Sequence, residues 1–327
     1  MGAADIPTSF GFPTFLRIFF PGFVGSVVYS YAFMPIIAGQ KWASLTIEER
    51  ILFWIISGVF LGLIIILFDF QIYQFLEGIQ FWPQSLRKYK YKKTEEALKK
   101  TNFDWESRKT ERKNERDVEK DKRDEEKIRE LNYEILNLLS KIREFPQDPN
   151  MRLSKGRYPT EATRFGNVLA EYETYSERQY GMHMRVFWNH LWLLLPIDLQ
   201  NDLDLKGSLA DFPVYLTFIF ISYAVIGSLG FLLQQELSLA ASCFVGALMI
   251  SVLFYHAAIA SHKVYGRYIK AVFDLYRIDL AKKLDIKCSL IPSAEEIAMW
   301  QDYWHFLLDY KEPDSKRLYD WTKVAKR

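Results

Sequence analysis

The sequence predicts an all-α membrane protein: two transmembrane helical hairpins, hence four spans, with a helical cytoplasmic domain between them and a helical cytoplasmic tail. Three observations carry this. Apolar residues make up 50% of the 327 residues and charged residues 25%, so the two kinds must occupy different places. Four runs, residues 15–39, 51–76, 213–233 and 237–260, are almost free of charge, and each is long enough to cross about 30 Å of hydrocarbon as a helix. Lysine and arginine gather after only two of the four runs, the second and the fourth.

The first run is expected to stay in the mature protein. The residues before it carry no basic segment, and the run is too long and aromatic for a cleaved signal peptide. Pro21-Gly22 within it favours a kink or a broken start. After the second run come Arg87, Lys88, Lys90, Lys92 and Lys93, and after the fourth come Lys263, Arg267 and Lys270. The other two connections are short and nearly neutral or acidic, so both termini and the long middle segment are predicted to be cytoplasmic. The expected division is 1–76, first hairpin; 77–210, cytoplasmic helical domain; 211–260, second hairpin; 261–327, cytoplasmic helical tail. The basic clusters read as topology signals that also favour anionic lipid.

Residues 106–130 hold equal numbers of acids and bases and almost nothing apolar. Spacings such as Glu119 with Arg123, Arg112 with Glu115 and Asp124 with Lys127 support an exposed helix. The same helix is expected to continue into an apolar seam at Ile128, Leu131, Ile135, Leu138 and Ile142, packed inside the domain. Two prolines in residues 145–150 end it. A helix start is predicted at Pro159-Thr160-Glu161 and a break at Tyr180-Gly181. The short segment FWNHLWLLLP either lies at headgroup level or is buried in the domain. A further helix opens near Ser293 with Glu295 and Glu296 in its first turn.

Three stretches together form a pattern: Tyr73, Glu77-Gly78 and Trp82-Pro83; then Pro159-Thr160, Gly166-Asn167, Tyr180-Gly181, Trp188, Trp192 and Pro196; then Asp274, Tyr276 and Arg277. In this pattern the chain resembles a family of bacterial four-span inner-membrane proteins to which no reaction is assigned. The resemblance implies an inner-membrane location and no activity. The charged stretch 106–130 lies outside it.

No phosphate-binding loop, nucleophile elbow or zinc-binding motif is present in the sequence. Cys243 and Cys288 give neither a disulfide framework nor metal-ligand spacing. His183 and His190, seven apart, read as an interfacial or hydrogen-bonded pair. No cofactor, metal or nucleic-acid partner is expected. The ionisable groups at membrane depth are the informative ones. Asp69 lies about 7 to 8 Å inside the inner end of the second run, and Arg17 and His256 fall at similar height. A polar cluster of Arg17, Asp69 and His256 is geometrically allowed, as a structural ion pair or the inner mouth of an ion path; the alternative is that Arg17 snorkels, His256 meets headgroups and Asp69 is solvated where the span ends early. Small-residue pairs at Gly22 and Ser26, Gly58 and Gly62, and Ser242 and Gly246 predict close helix contacts, within one subunit or between subunits.

Three functions follow as expectations. The first is a non-enzymatic oligomeric assembly, a channel, pore or membrane-perturbing effector controlled by its cytoplasmic domain. The second is a scaffold that recruits a cytosolic protein partner. The third is an inner-face enzyme acting on a lipid or nucleotide, built from Glu77, Asn167, Asp274 and Arg277.

Overall fold

The computed structural model describes residues 11–117, 124–145, 161–286 and 288–309. Every regular element among them is helical: α1 Phe12–Thr14, a π-helical stretch Phe15–Phe19, α2 Phe20–Ile37, α3 Gln40–Ser44, α4 Ile47–Leu67, α5 Asp69–Glu77, α6 Gln84–Arg116, α7 Glu125–Ile142, α8 Arg164–Glu173, α9 Tyr175–Tyr180, α10 Met184–Trp192, α11 Ile197–Leu233, α12 Leu237–Lys283 and α13 Ala294–Asp309. Four stretches are long and apolar enough to cross a membrane: Phe12–Ile37, Ile47–Leu67, Ile197–Leu233 and Leu237–Lys283. The chain divides into two compact units, one of residues 1–76 with 196–265, the other of residues 77–195 with 266–327. The segment after residue 265 thus joins the middle segment in one unit.

In the first unit the spans begin and end where local chemistry dictates. Pro21 has no N–H to give the Arg17 carbonyl, and the turn ahead of it widens to the π-helical Phe15–Phe19, closed by the Phe20 N–H on the Phe15 carbonyl. Thr46 caps α4, its side chain accepting from the Glu49 N–H while the Glu49 carboxylate accepts from the Thr46 N–H. The second span therefore opens at Ile47, ahead of the apolar run. It also closes early: the helix breaks at Phe68, and Asp69 begins the separate helix α5. The third span does not start at Pro213, which lies inside α11.

Glycine sets the contact between α2 and α4. A Cβ on Gly22 would stand 2.1 Å from the Gly58 carbonyl oxygen, and one on Gly62 would stand 2.5 Å from that of Ile18, so only glycine lets these backbones touch. Ser26 and Ser57 hydroxyls meet at 2.5 Å, and the Trp54 indole N–H donates to Ser30 Oγ at 2.8 Å. Tyr29 ties α2 to α11 by donating to Ser222 Oγ at 2.7 Å. On α12 the residues Ala240, Ala247, Ser251, Ala258, His262 and Tyr265 are buried, a seam of threes, fours and sevens. Phe254 meets Phe212 and Phe220 of α11. Ser242 is exposed and Gly246 has open space around it, so that small-residue pair packs against nothing among the described residues.

The second unit contains a helical hairpin and a small helical core. Residues 106–130 are not one helix. α6 ends at Arg116, Asp124 caps α7 by accepting from the Glu126 and Lys127 N–H groups, and the two helices run antiparallel. Arg108 pairs with Glu134, Arg112 with Asn132, and Lys127 with Glu115. Ile128, Leu131, Ile135 and Ile142 form the buried face of α7, whereas no residue of α6 is fully buried. The expected pair Glu119–Arg123 lies outside the described residues. α8 begins at Arg164, with Thr163 as its N-cap accepting from the Gly166 N–H. Gly181 ends α9 at φ 74°. α10 is buried by Phe187 and Leu191, and Phe187 packs edge-on against Trp300 of α13 at 5.0 Å. Ser293 caps α13 through the Glu296 N–H.

Candidate functional site: a polar cluster joining four helical segments

Arg17 sits in the π-helical stretch, and its Nε lies 2.9 Å from Asp211 Oδ2 on α11. Tyr73 of α5 donates its hydroxyl proton to Asp211 Oδ1 and stands 3.1 Å from His262 Nε2 on α12. With the hydroxyl proton given to the carboxylate, the Tyr73 oxygen can only accept from the imidazole, which assigns a proton to Nε2. One turn above Asp211, Tyr215 donates to Asp69 Oδ1 at 2.8 Å. Asp69 and Tyr73 are four apart on α5, and Asp211 and Tyr215 four apart on α11, so each helix offers two polar groups on one face. Asp211, Tyr215 and His262 are buried.

Three spans and the helix that follows the second contribute: Arg17 from the first span, Asp69 and Tyr73 from α5, Asp211 and Tyr215 from the third span, and His262 from the fourth. An ion pair held among apolar helices is costly to desolvate and is kept where its hydrogen bonds are satisfied. Here the carboxylate of Asp211 takes a guanidinium on one oxygen and a phenol on the other. The break at Phe68 places Asp69 in the first turn of α5, the end of a helix that favours negative charge.

Of the three residues that the sequence allows to cluster, Arg17 and Asp69 lie within each other's field. His256 does not join them: it is exposed, with its ring against Tyr255. His262 stands in that place because α12 continues as one helix, and its buried seam passes through 258, 262 and 265 rather than 256. Asp211, the central acid, reads in sequence as a boundary residue just ahead of Pro213. A helix running through Pro213 makes it an interior one. Among the other expected groups, Gly22, Ser26, Gly58 and Gly62 form the α2–α4 contact.

The second unit holds two further constellations. Gly78, at φ 83°, turns the chain beside Ala162 and Thr163, and a Cβ on Gly166 would lie 3.1 Å from the Glu77 carbonyl oxygen. Asn167 is buried and closes the turn at Glu161 to Thr163: its Oδ1 accepts from the Glu161 N–H, and its Nδ2 donates to the Glu161 and Thr163 carbonyls. Burial, with Glu173 and Glu161 nearby, raises the Glu77 carboxyl to about 7 despite Arg185. Trp82 flanks Gly78, and Pro83 stands at the start of α6. Pro159 and Thr160 lie outside the described residues.

In the other constellation Arg277, almost wholly buried, donates Nη1 to Glu296 at 2.6 Å and Nη2 to the Ser289 and Leu290 carbonyls. Its guanidinium lies over the Tyr180 ring at 4.4 Å. Asp274 accepts from the Tyr175 and Tyr180 hydroxyls, and burial together with that bond raises Tyr180 to about 12. Burial and Glu296 raise the Cys288 thiol to about 12. Glu77, Asn167, Asp274 and Arg277 therefore do not converge on one site. Asn167 spends its polar atoms on backbone, and Arg277 spends its two Nη groups on Glu296, Cys288 Sγ and two backbone carbonyls, while its Nε has no partner among the described residues. His183 lies against Trp304 and His190 bonds its own helix at Val186, so these two histidines form no pair.

The basic residues differ in their engagement. Lys270 pairs with Glu171 and Arg87 with Tyr91, Arg267 is exposed and Lys263 half-buried, and Lys88, Lys90, Lys92 and Lys93 line the start of α6. Comparison of the chain with protein-family models, with curated proteins and with solved structures returns no match.

Proposed function

We propose that this multi-pass membrane protein is a non-enzymatic oligomeric assembly that conducts ions or perturbs the bilayer, with the polar cluster as the latch of its closed state. The observation that supports this reading is the convergence of the first, third and fourth spans and of α5, the helix after the second, on Arg17, Asp211, Tyr73 and His262. Charged and titratable groups inside spans are expensive and belong to ion paths, gates and relays. A network drawn from four separate helices has to rearrange when any of them moves, so it is a two-state element in the sense that gating requires. In this reading the protein resides in a bacterial inner membrane with both termini cytoplasmic. The basic residues after the second and fourth spans support that orientation, and the second unit is then the cytoplasmic part that controls the latch.

The test is ion flux from liposomes holding the purified full-length protein. Asp211→Asn, which removes the charge that holds Arg17, and Tyr73→Phe, which keeps the ring, should each raise flux several-fold over the wild type. Folded, reconstituted protein that passes no ions in any of the three forms, and leaks no entrapped dye, would overturn the proposal.

A second reading, a scaffold for a cytosolic partner, has one observation in its favour. α6 is 33 residues long and, apart from its contact with α7, presents charge and the exposed Phe103 to its surroundings. Removal of residues 84–142 should then abolish a co-purifying partner while leaving membrane insertion intact; a full-length protein that purifies alone removes this reading.

A further inference from the structure

The segment from Phe81 to Lys93 takes no part in the latch, and it is tied to the second unit by Trp82, beside Gly78, and by Tyr91, which donates to Glu161 at 2.9 Å. Phe81 holds a backbone φ of 61°, a left-handed conformation that a bulky residue adopts only at a cost, and its ring is 80% exposed. A strained turn that presents an aromatic ring outward gains nothing from its own unit. On the first turns of α6, Leu86 and Tyr89 are also exposed, and their spacing of three puts them on one face. Around them stand Arg87, Lys88, Lys90, Lys92 and Lys93, with no acid between residues 81 and 93. Lys88, Lys90 and Lys93 form no ion pair among the described residues, and Lys92 reaches Glu96 only at 4.0 Å.

We infer that this segment docks on the anionic headgroups of the adjoining leaflet, with Phe81 as an apolar wedge and the lysines of early α6 on the lipid phosphates. Two features select lipid as the occupant. The charge of residues 81–93 is of one sign, with Lys88, Lys90 and Lys93 outside any ion pair among the described residues, which complements an anionic surface, and the basic residues flank exposed aromatic and aliphatic ones, the composition of an interfacial anchor. The inference does not depend on ion conduction and stands or falls separately from it.

The test is lysine acetylation, read residue by residue by mass spectrometry, on the full-length protein in nanodiscs of phosphatidylglycerol and of phosphatidylcholine. Lys88 and Lys93 should react about threefold more slowly or less in the anionic discs, while Lys113, at the far end of α6, changes little. Phe81→Asn supplies a residue that tolerates the left-handed backbone, so it should fold as well as the wild type yet lose most of the protection. Equal reactivity of Lys88 and Lys93 in both lipids overturns the inference, as does protection that persists unchanged in detergent, which would mean that protein covers the segment. Protection that survives Phe81→Asn in full overturns the wedge.

Discussion

Arg17 Nε and Asp211 Oδ2 lie 2.9 Å apart, joining the first span to the third across 194 residues of sequence. The pair exists because two local irregularities aim it. Pro21 widens the turn that carries Arg17, and α11 begins well before its apolar section, so that Asp211 lies inside a helix. Asp211 is buried, whereas a third of the Arg17 side chain remains accessible, so the guanidinium keeps some hydration while the carboxylate depends on its protein partners.

The two tyrosines of the cluster should differ. Tyr73 serves both Asp211 and His262, while Tyr215 serves Asp69. Tyr73→Phe is expected to cost about 2 kcal/mol and Tyr215→Phe about 1 kcal/mol, measured by equilibrium unfolding in mixed micelles. The reverse order would show that the bond to Asp69 carries the cluster.

Two glycine-to-alanine changes in spans should separate cleanly. Gly22→Ala forces a methyl against the Gly58 carbonyl and should cost about 2 kcal/mol or prevent assembly of the first hairpin. Gly246→Ala meets nothing within 4 Å, and alanine is the better helix former, so stability should hold or rise slightly. A loss at Gly246 in reconstituted protein would reveal a second subunit at that face.

Glu77 should make stability depend on pH. Its folded-state carboxyl titrates near 7, above the unfolded value of about 4.3, so the folded state binds the extra proton. Its contribution is fully present below about pH 4 and is lost as pH rises through 7. Glu77→Gln keeps the protonated shape and should raise the unfolding midpoint at pH 8, by up to about 2 kcal/mol, with little effect at pH 4. A variant equal to wild type at pH 8 would mean that Arg185 already neutralises the site.

Arg277→Lys tests whether charge alone is enough. Lysine can still face Glu296, yet it cannot reach both the Ser289 and Leu290 carbonyls or lie flat on Tyr180. A loss of about 2 kcal/mol and faster proteolysis between α12 and α13 are expected. Unchanged proteolysis would show that the loop is held by Glu296 without the guanidinium.

The all-helical class and four spans were legible because apolar length and charge segregation are properties of the chain alone. Arg17 and Asp69 stood out for the same reason, as charges within apolar runs. Asp211 did not, because the run and the helix do not begin at the same residue. A proline that reads as a boundary in sequence is compatible with a helix interior once neighbouring helices satisfy the freed carbonyl. His256 is what the sequence offers because height along the span is readable from it, whereas rotation about the helix, which selects His262, needs the whole seam from Ala240 to Ile269. The charged stretch 106–130 misled differently: ion-pair spacing supports helix on both sides of a turn equally well, and the Asp124 cap that divides α6 from α7 looks like one more charge.

The central claim is that spans far apart in sequence are coupled through one ionisable cluster, and a double-mutant cycle of Arg17→Gln with Asp211→Asn measures it most directly. In equilibrium unfolding of the full-length protein, we predict that each single change costs about 2 kcal/mol, and that the double change costs at least about 1 kcal/mol less than their sum. Strict additivity, with a coupling below about 0.3 kcal/mol, would contradict a bonded pair and with it the latch.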